Sequence, residues 1–315
     1  MGKIAFIFPG QGSQAVGMGK ELRDKYEEVK QVFELADQAL NRSLSSLIFN
    51  GPAEKLTWTV NTQPALVTTS IAILEYFKQF GIQPDFVAGH SLGEYSALVA
   101  AGTFTFEDAV RIVELRGKLM EEAYPGGKGA MAAVLGMERE LLTAVCEEVT
   151  ARGEHVQLAN LNCPGQIVIS GSKEGVHQAG ELAKEKGARR VIPLAVSGPF
   201  HSKFMEPASS LLKKALDEVD LQDARIPVIA NVTAEPVQDR TEIKELLVKQ
   251  LYSPVLWEDS VRMMINAGVD TFIEVGPGKV LTGLVRKIDR NVRGYCIYDE
   301  ATVLNVINEL KEEGK

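Results

Sequence analysis

The apolar positions of this chain fall into short runs closed by glycine, alternating with longer amphipathic stretches. Residues 3–8 are a continuous apolar run that stops at Pro9-Gly10-Gln11-Gly12, the pattern of a buried strand feeding a tight turn. A charged amphipathic helix is expected over residues 19–40, and a mostly apolar, buried helix over 62–80. Residues 85–88 predict a second short strand, 94–101 a small-residue helix and 106–122 another helix. Near the end, 271–275 reads as a strand that meets Gly276-Pro277-Gly278 and a further helix. Strands alternating with helices predict an α/β fold with a mainly parallel sheet, whose ligands sit at the carboxyl ends of the strands.

The middle of the chain reads differently. Tyr124-Pro125-Gly126-Gly127-Lys128-Gly129 is a flexible boundary. Beyond it the pattern predicts a strand at 130–135, a helix at 138–151 and strands at 156–159 and 166–170. A turn through Asn162-Cys163-Pro164-Gly165 joins the last two; a helix at 175–186 and a strand at 191–196 follow. That order, β-α-β-β-α-β, is a ferredoxin-like unit. Residues 126–197 are therefore expected to form a small subdomain inserted into a larger unit made of 1–125 and 198–315, with a cleft between them.

Composition narrows the class. With 45% hydrophobic and 24% charged residues, the chain can bury a core and is not expected to be disordered. A formal charge of −8 argues against non-specific nucleic-acid binding. Three widely spaced cysteines form no C-x-x-C, so neither a disulfide framework nor a zinc site is expected, and a reducing cytoplasm fits. The first ten residues are too short an apolar stretch for a signal-peptide core. Myristoylation would want Ser or Thr where Phe6 stands. No apolar run approaches a membrane span, so a soluble protein without membrane partners is expected. A monomer is expected as well.

Gly89-His90-Ser91-Leu92-Gly93 lies between a predicted strand and a predicted helix, the layout of a nucleophile elbow that lifts a serine hydroxyl above a sheet. An ordinary strand-to-helix turn that happens to hold serine is the alternative. Gly10-Gln11-Gly12-Ser13-Gln14-Ala15 matches a dinucleotide fingerprint but lacks its context: residues 20–40 are charged helix, where a second strand ending in an acid is needed. Aiming backbone N–H groups at an oxyanion is a better use for this loop. Lys279 after Gly278 does not make a phosphate loop, because Ile273 and Val280 stand where glycine and a hydroxyl residue are required.

A serine nucleophile needs a base, and the chain has four histidines. His90 adjoins Ser91 in a turn whose neighbours point apart. His155 and His177 lie in polar surroundings and read as surface residues. His201, in Gly198-Pro199-Phe200-His201-Ser202, follows the last strand of the small unit, where the chain returns to the cleft; it is either the base or a plain loop histidine. No Asp or Glu is marked as a third member, and a backbone carbonyl is the alternative orienter. On the helix from Phe106, Arg116 shares its face with Ala109, Ile112, Val113, Leu119 and Met120. An arginine on a buried stripe must find an anion, either an internal carboxylate or the carboxylate of a bound acyl group.

These stretches, with Gln63-Pro64-Ala65, Asn160-Leu161-Asn162 and Glu274-Val275-Gly276-Pro277-Gly278, run in family order along nearly the whole length. The chain resembles the malonyl-CoA:acyl carrier protein transacylases of bacterial fatty-acid synthesis. The resemblance implies a hydrolase-like core with an inserted ferredoxin-like subdomain. It implies that Ser91 attacks the thioester of malonyl-CoA while His201 takes its proton, with the N–H groups of Gln11 and Leu92 as oxyanion hole. Arg116 then holds the malonyl carboxylate, Gln63, Asn160, Asn162 and Phe200 line the site, and the backbone carbonyl of Gln250 orients His201. The malonyl-serine ester passes to the phosphopantetheine thiol of holo acyl carrier protein, a ping-pong sequence with no metal or redox cofactor. Phe200 and Leu92 resemble the malonyl-selective pattern within the family.

Two other classes compete. A thioesterase or other serine hydrolase would use the same elbow but admit water, and a non-catalytic module would only sense a CoA ester. Arg116 and the missing acid favour transfer. Because both partners are acidic, carrier docking implies a local basic patch, for which Lys186, Arg189 and Arg190, or Arg286 and Lys287, are candidates.

Overall fold

The computed structural model describes residues 2–125, 127–196 and 198–313. In chain order its strands are β1 (Lys3–Phe8), β2 (Phe86–Gly89), β3 (Gly129–Leu135), β4 (Val156–Cys163) and β5 (Gln166–Ser172). These are followed by β6 (Arg190–Pro193), β7 (Val228–Ile229), β8 (Pro236–Val237), β9 (Val269–Val275) and β10 (Arg293–Ile297).

They build two sheets. The larger has the order β10-β9-β1-β2-β7-β8 and is parallel except for β8, which pairs antiparallel with β7. Its central strand β1 is buried from Ile4 to Phe8 because helices cover both faces, which is why its sequence is a continuous apolar run. Three turns lie at the carboxyl ends of adjacent parallel strands: Pro9–Gly12 after β1, His90–Leu92 after β2 and Gly276–Gly278 after β9. That edge is where an open α/β sheet presents its ligands.

The smaller sheet is antiparallel with the order β4-β5-β3-β6, its elements following in the chain as β-α-β-β-α-β. Side chains alternate across β3. Ala132 and Val134 pack with Leu142, Val145 and Val149 of the Arg139–Ala151 helix and with Val176, Ala179 and Ala183 of the Lys173–Glu185 helix. Met131, on the opposite face, joins the core of the larger unit, as do Ala159 and Val168. Backbone bonds from Leu161 N to Val255 O and from Val255 N to Ala159 O lace β4 to the large unit. The expected edges of the inserted unit, Gly126 and Ser197, lie outside the described residues.

Several local expectations are corrected. The 19–40 stretch is two helices, Lys20–Lys25 and Glu27–Leu40, broken at Tyr26, which is extended (φ −124°, ψ 121°). Tyr26 leaves the helix so that its ring meets Tyr76 at 4.3 Å and its hydroxyl donates to Glu300. Strands β4 and β5 continue to a tight turn at Pro164-Gly165. The last strand stops at Pro193, so Leu194 and Val196 line a cavity instead of continuing the sheet. No described helix is long and apolar enough to cross a membrane.

Candidate active site

The elbow forms because its glycines permit contacts that a side chain would block. A Cβ on Gly89 would fall 1.9 Å from the backbone of Gly93, and one on Gly93 would fall 2.0 Å from the carbonyl oxygen of Phe8. The turn so compressed drives Ser91 into the left-handed region at φ 51°, a strained conformation for serine. Asn231, just past β7, holds it there: its Oδ1 accepts from Ser91 N at 2.7 Å and its Nδ2 donates to Gly89 O at 2.7 Å.

His201 is also left-handed, at φ 57°, and 3% exposed. Its Nε2 lies 2.8 Å from Ser91 Oγ, and its Nδ1 lies 2.9 Å from the backbone carbonyl oxygen of Gln250. That carbonyl can only accept, so Nδ1 carries the hydrogen and Nε2 is the acceptor facing the serine. Among the described residues no carboxylate is bonded to His201. Gln157 steadies the loop by donating to the carbonyl of His201 at 3.2 Å.

Arg116 comes from the buried face of the Phe106–Ala123 helix and is 1% exposed. Its guanidinium donates to Gln63 Oε1 at 2.8 Å, to Gln250 Oε1 at 2.9 Å and to Ser91 Oγ at 3.1 Å. Among the described residues none pairs a carboxylate with it directly, and its Nε has no partner. A cavity of about 120 Å³ opens over Ser91, Arg116 and His201, lined also by Gln11, Leu92, Met120, Asn160 and Phe200. Asn162 stands apart from the reacting atoms: its Oδ1 lies 2.8 Å from His90 Nε2, and His90 packs against Trp257. Gln63 likewise reaches the site through Arg116.

The model of the acyl transferase domain family matches residues 5–314. The malonyl CoA-acyl carrier protein transacylase of Bacillus subtilis (strain 168) is 59% identical over 313 residues, 99% of either chain. The crystal structure of an acyl carrier protein S-malonyltransferase from Vibrio cholerae superposes with a TM-score of 0.94 at 48% identity, covering 96% of this chain and 99% of that one. A malonyl-transacylase solved in complex with its type II PKS acyl-carrier protein gives 0.95 at 42% identity, covering 98% and 99%.

The chain belongs to the acyl transferase domain family.

Electrostatics in this acyl transferase are governed by burial. Burial, and then the positive charge of Arg116, push the His201 imidazole down to about 3, so it is neutral at pH 7. Burial also lowers His90 and Arg116 and raises the Glu94 carboxyl to about 7. Glu94 and Asn231 escaped the sequence reading as functional candidates. Both carried a faint signal: Glu94 is the lone charge in the apolar Gly93–Ala100 helix, and Asn231 ends the apolar run Pro227 to Ala230 at the sheet's carboxyl edge. His177 is exposed, whereas His155 is half-buried against Phe204 with Nε2 3.1 Å from Gln157 Oε1, because the strand β4 it precedes packs inward. Lys186, Arg189, Arg190, Arg286 and Lys287 are all exposed; Lys186 pairs with Glu148 and Lys287 reaches Gln166. Among the described residues no group of three His, Cys, Asp or Glu could hold a metal ion.

Proposed function

We propose that this acyl transferase moves a malonyl group from malonyl-CoA to the phosphopantetheine thiol of holo acyl carrier protein through a malonyl ester on Ser91, supplying fatty-acid elongation. The observation that carries this reading is Arg116, a buried guanidinium bonded to the nucleophile's own oxygen and to two neutral amides, with no carboxylate among the described residues bonded to it directly. A guanidinium buried beside the nucleophile favours an anionic group on the substrate bound there. The malonyl carboxylate, one methylene away from the thioester carbon, is the anion that suits a guanidinium 3.1 Å from Ser91 Oγ.

His201 takes the Ser91 proton as Oγ attacks the thioester carbonyl, and returns it to the departing CoA thiolate. The N–H groups of Gln11 and Leu92 hold the oxyanion. The carboxylate also offsets the positive potential that Arg116 imposes on His201, so the imidazole becomes a stronger base once a malonyl group is in place. The carrier thiol then attacks the ester with His201 again as base. No metal or redox cofactor enters. Residues 126–197 form the small subdomain over the cleft, and the exposed clusters at Lys186, Arg189 and Arg190 and at Arg286 and Lys287 meet the acidic carrier. The three unpaired cysteines suit the cytoplasm.

Initial rates over a grid of malonyl-CoA and holo-carrier concentrations test this. Parallel double-reciprocal lines are expected; lines that intersect would require both substrates bound together and contradict the serine ester.

A further inference from the structure

Glu94 is 3% exposed and lies one helical turn past the nucleophile. It does not touch Arg116. Its Oε2 accepts from Gln250 Nε2 at 2.7 Å and from Asn231 N at 3.1 Å. Gln250 Nε2 also donates to Ser91 O at 3.1 Å, which leaves Gln250 Oε1 as the oxygen that accepts from Arg116. With the amide reversed, two N–H donors would face each other at Arg116, and Gln250's oxygen would face a carboxylate. The carboxylate of Glu94 therefore dictates the orientation of Gln250.

We propose that Glu94 is a positioning residue that supplies the counter-charge of Arg116 at one remove, through the Gln250 amide, and that binding a carboxylate-bearing acyl group is coupled to proton uptake at Glu94. The geometry forces the coupling. With Glu94 ionised, the buried site is neutral when empty and carries one net negative charge once the acyl carboxylate binds. With Glu94 protonated, the same binding event neutralises the site. The acyl carboxylate therefore favours the protonated form.

The groups facing Glu94 permit this assignment. Arg116 faces it from the Phe106–Ala123 helix and Tyr95 follows it on its own helix; the Arg240–Gln250 helix and the segment after β7 present the uncharged Gln250 and Asn231. Tyr95 is pushed up to about 12 and His201 down to about 3, and burial also lowers His90. Near neutrality the titrating member of the cluster is Glu94, raised by burial to about 7. Its raised value means that the folded protein holds the proton in a range where an exposed carboxyl has lost it.

The proposal rests on the reading of Arg116 given above. Its test is calorimetric binding of malonyl-CoA and of acetyl-CoA to the Ser91→Ala protein, in buffers of different ionisation enthalpy. Malonyl-CoA affinity is expected to rise about tenfold between about pH 8.5 and about pH 6.5, the scale of one unit charge at an effective dielectric near 20, with net proton uptake. Acetyl-CoA should show neither effect. Adding Glu94→Gln should leave malonyl-CoA bound tightly, independent of pH and without proton uptake. A malonyl-CoA affinity that varies with pH no more than that of acetyl-CoA overturns the proposal without reference to any Glu94 variant. So does a pH dependence that survives Glu94→Gln. If Arg116→Ala in the same background keeps the preference for malonyl- over acetyl-CoA, the Arg116 reading fails and the Glu94 proposal falls with it. If that preference is lost but the coupling survives Glu94→Gln, the Glu94 proposal alone is wrong.

Discussion

Replacing Arg116 by alanine separates holding the substrate from holding the fold. The substitution removes a charged donor from the acyl carboxylate, and hydrogen bonds to charged groups contribute about 1.5–3 kcal/mol. At about 1.4 kcal/mol per decade, kcat/KM for malonyl-CoA falls about 10- to 150-fold. The loss should be selective, because an acetyl donor has no carboxylate to lose. Gln63 Oε1 and Gln250 Oε1 also lose their donor, a penalty common to both acyl donors. The malonyl-to-acetyl ratio of kcat/KM is therefore the quantity to read, by stopped-time transfer to holo carrier protein. A second signature comes from His201. The neutral imidazole is the active form, and Arg116 is the second-largest cause of its depression to about 3. Wild-type kcat/KM should thus hold well below the ordinary histidine range as pH falls, and the acid limb of Arg116→Ala should move up towards it. An equal loss for both donors with an unmoved acid limb would refute the reasoning and make Arg116 a structural residue.

Three further expectations follow from the same geometry. Asn231→Ala orphans Ser91 N and Gly89 O, so a stability loss of about 1–3 kcal/mol in urea melts should accompany a fall in kcat; unchanged stability and kcat would contradict the role given to Asn231. Gly93→Ala places a methyl 2.0 Å from the Phe8 carbonyl oxygen and should destabilise by about 3 kcal/mol or more, read as a lowered Tm or loss of soluble protein; a wild-type Tm would show that the elbow is not compressed. Phe200 lines the cavity, so Phe200→Ala should narrow the preference for malonyl- over methylmalonyl-CoA by about 1–3 kcal/mol in relative kcat/KM, and an unchanged ratio would remove Phe200 from specificity.

What was legible in the sequence depended on whether a residue's role is written in local pattern. The strands β1, β2 and β9 and their glycine turns were readable because burial on both faces and tight backbone approach each constrain several adjacent residues. Arg116 was readable as buried, since one helical face carries the evidence. Its partners were not: Gln63 and Gln250 lie 53 and 134 residues away on two other helices, and the local pattern of neither helix says which group its amide will meet. The His201–Gln250 bond escapes residue chemistry altogether, because the acceptor is a backbone carbonyl and any side chain there would supply it. Only the family resemblance points to it. The break at Tyr26 was illegible for a related reason: the helical period continues through it, and the hydroxyl's partner, Glu300, is 274 residues distant.

The most direct test of the account is the intact mass of the protein after brief mixing with malonyl-CoA, followed by a chase with holo acyl carrier protein. Wild type should gain one malonyl increment that survives in buffer and moves to the carrier on the chase, while Ser91→Ala gains none. An increment lost to water whether or not carrier is present would make the protein a hydrolase. Transfer to carrier by Ser91→Ala would contradict the serine ester on which the account depends.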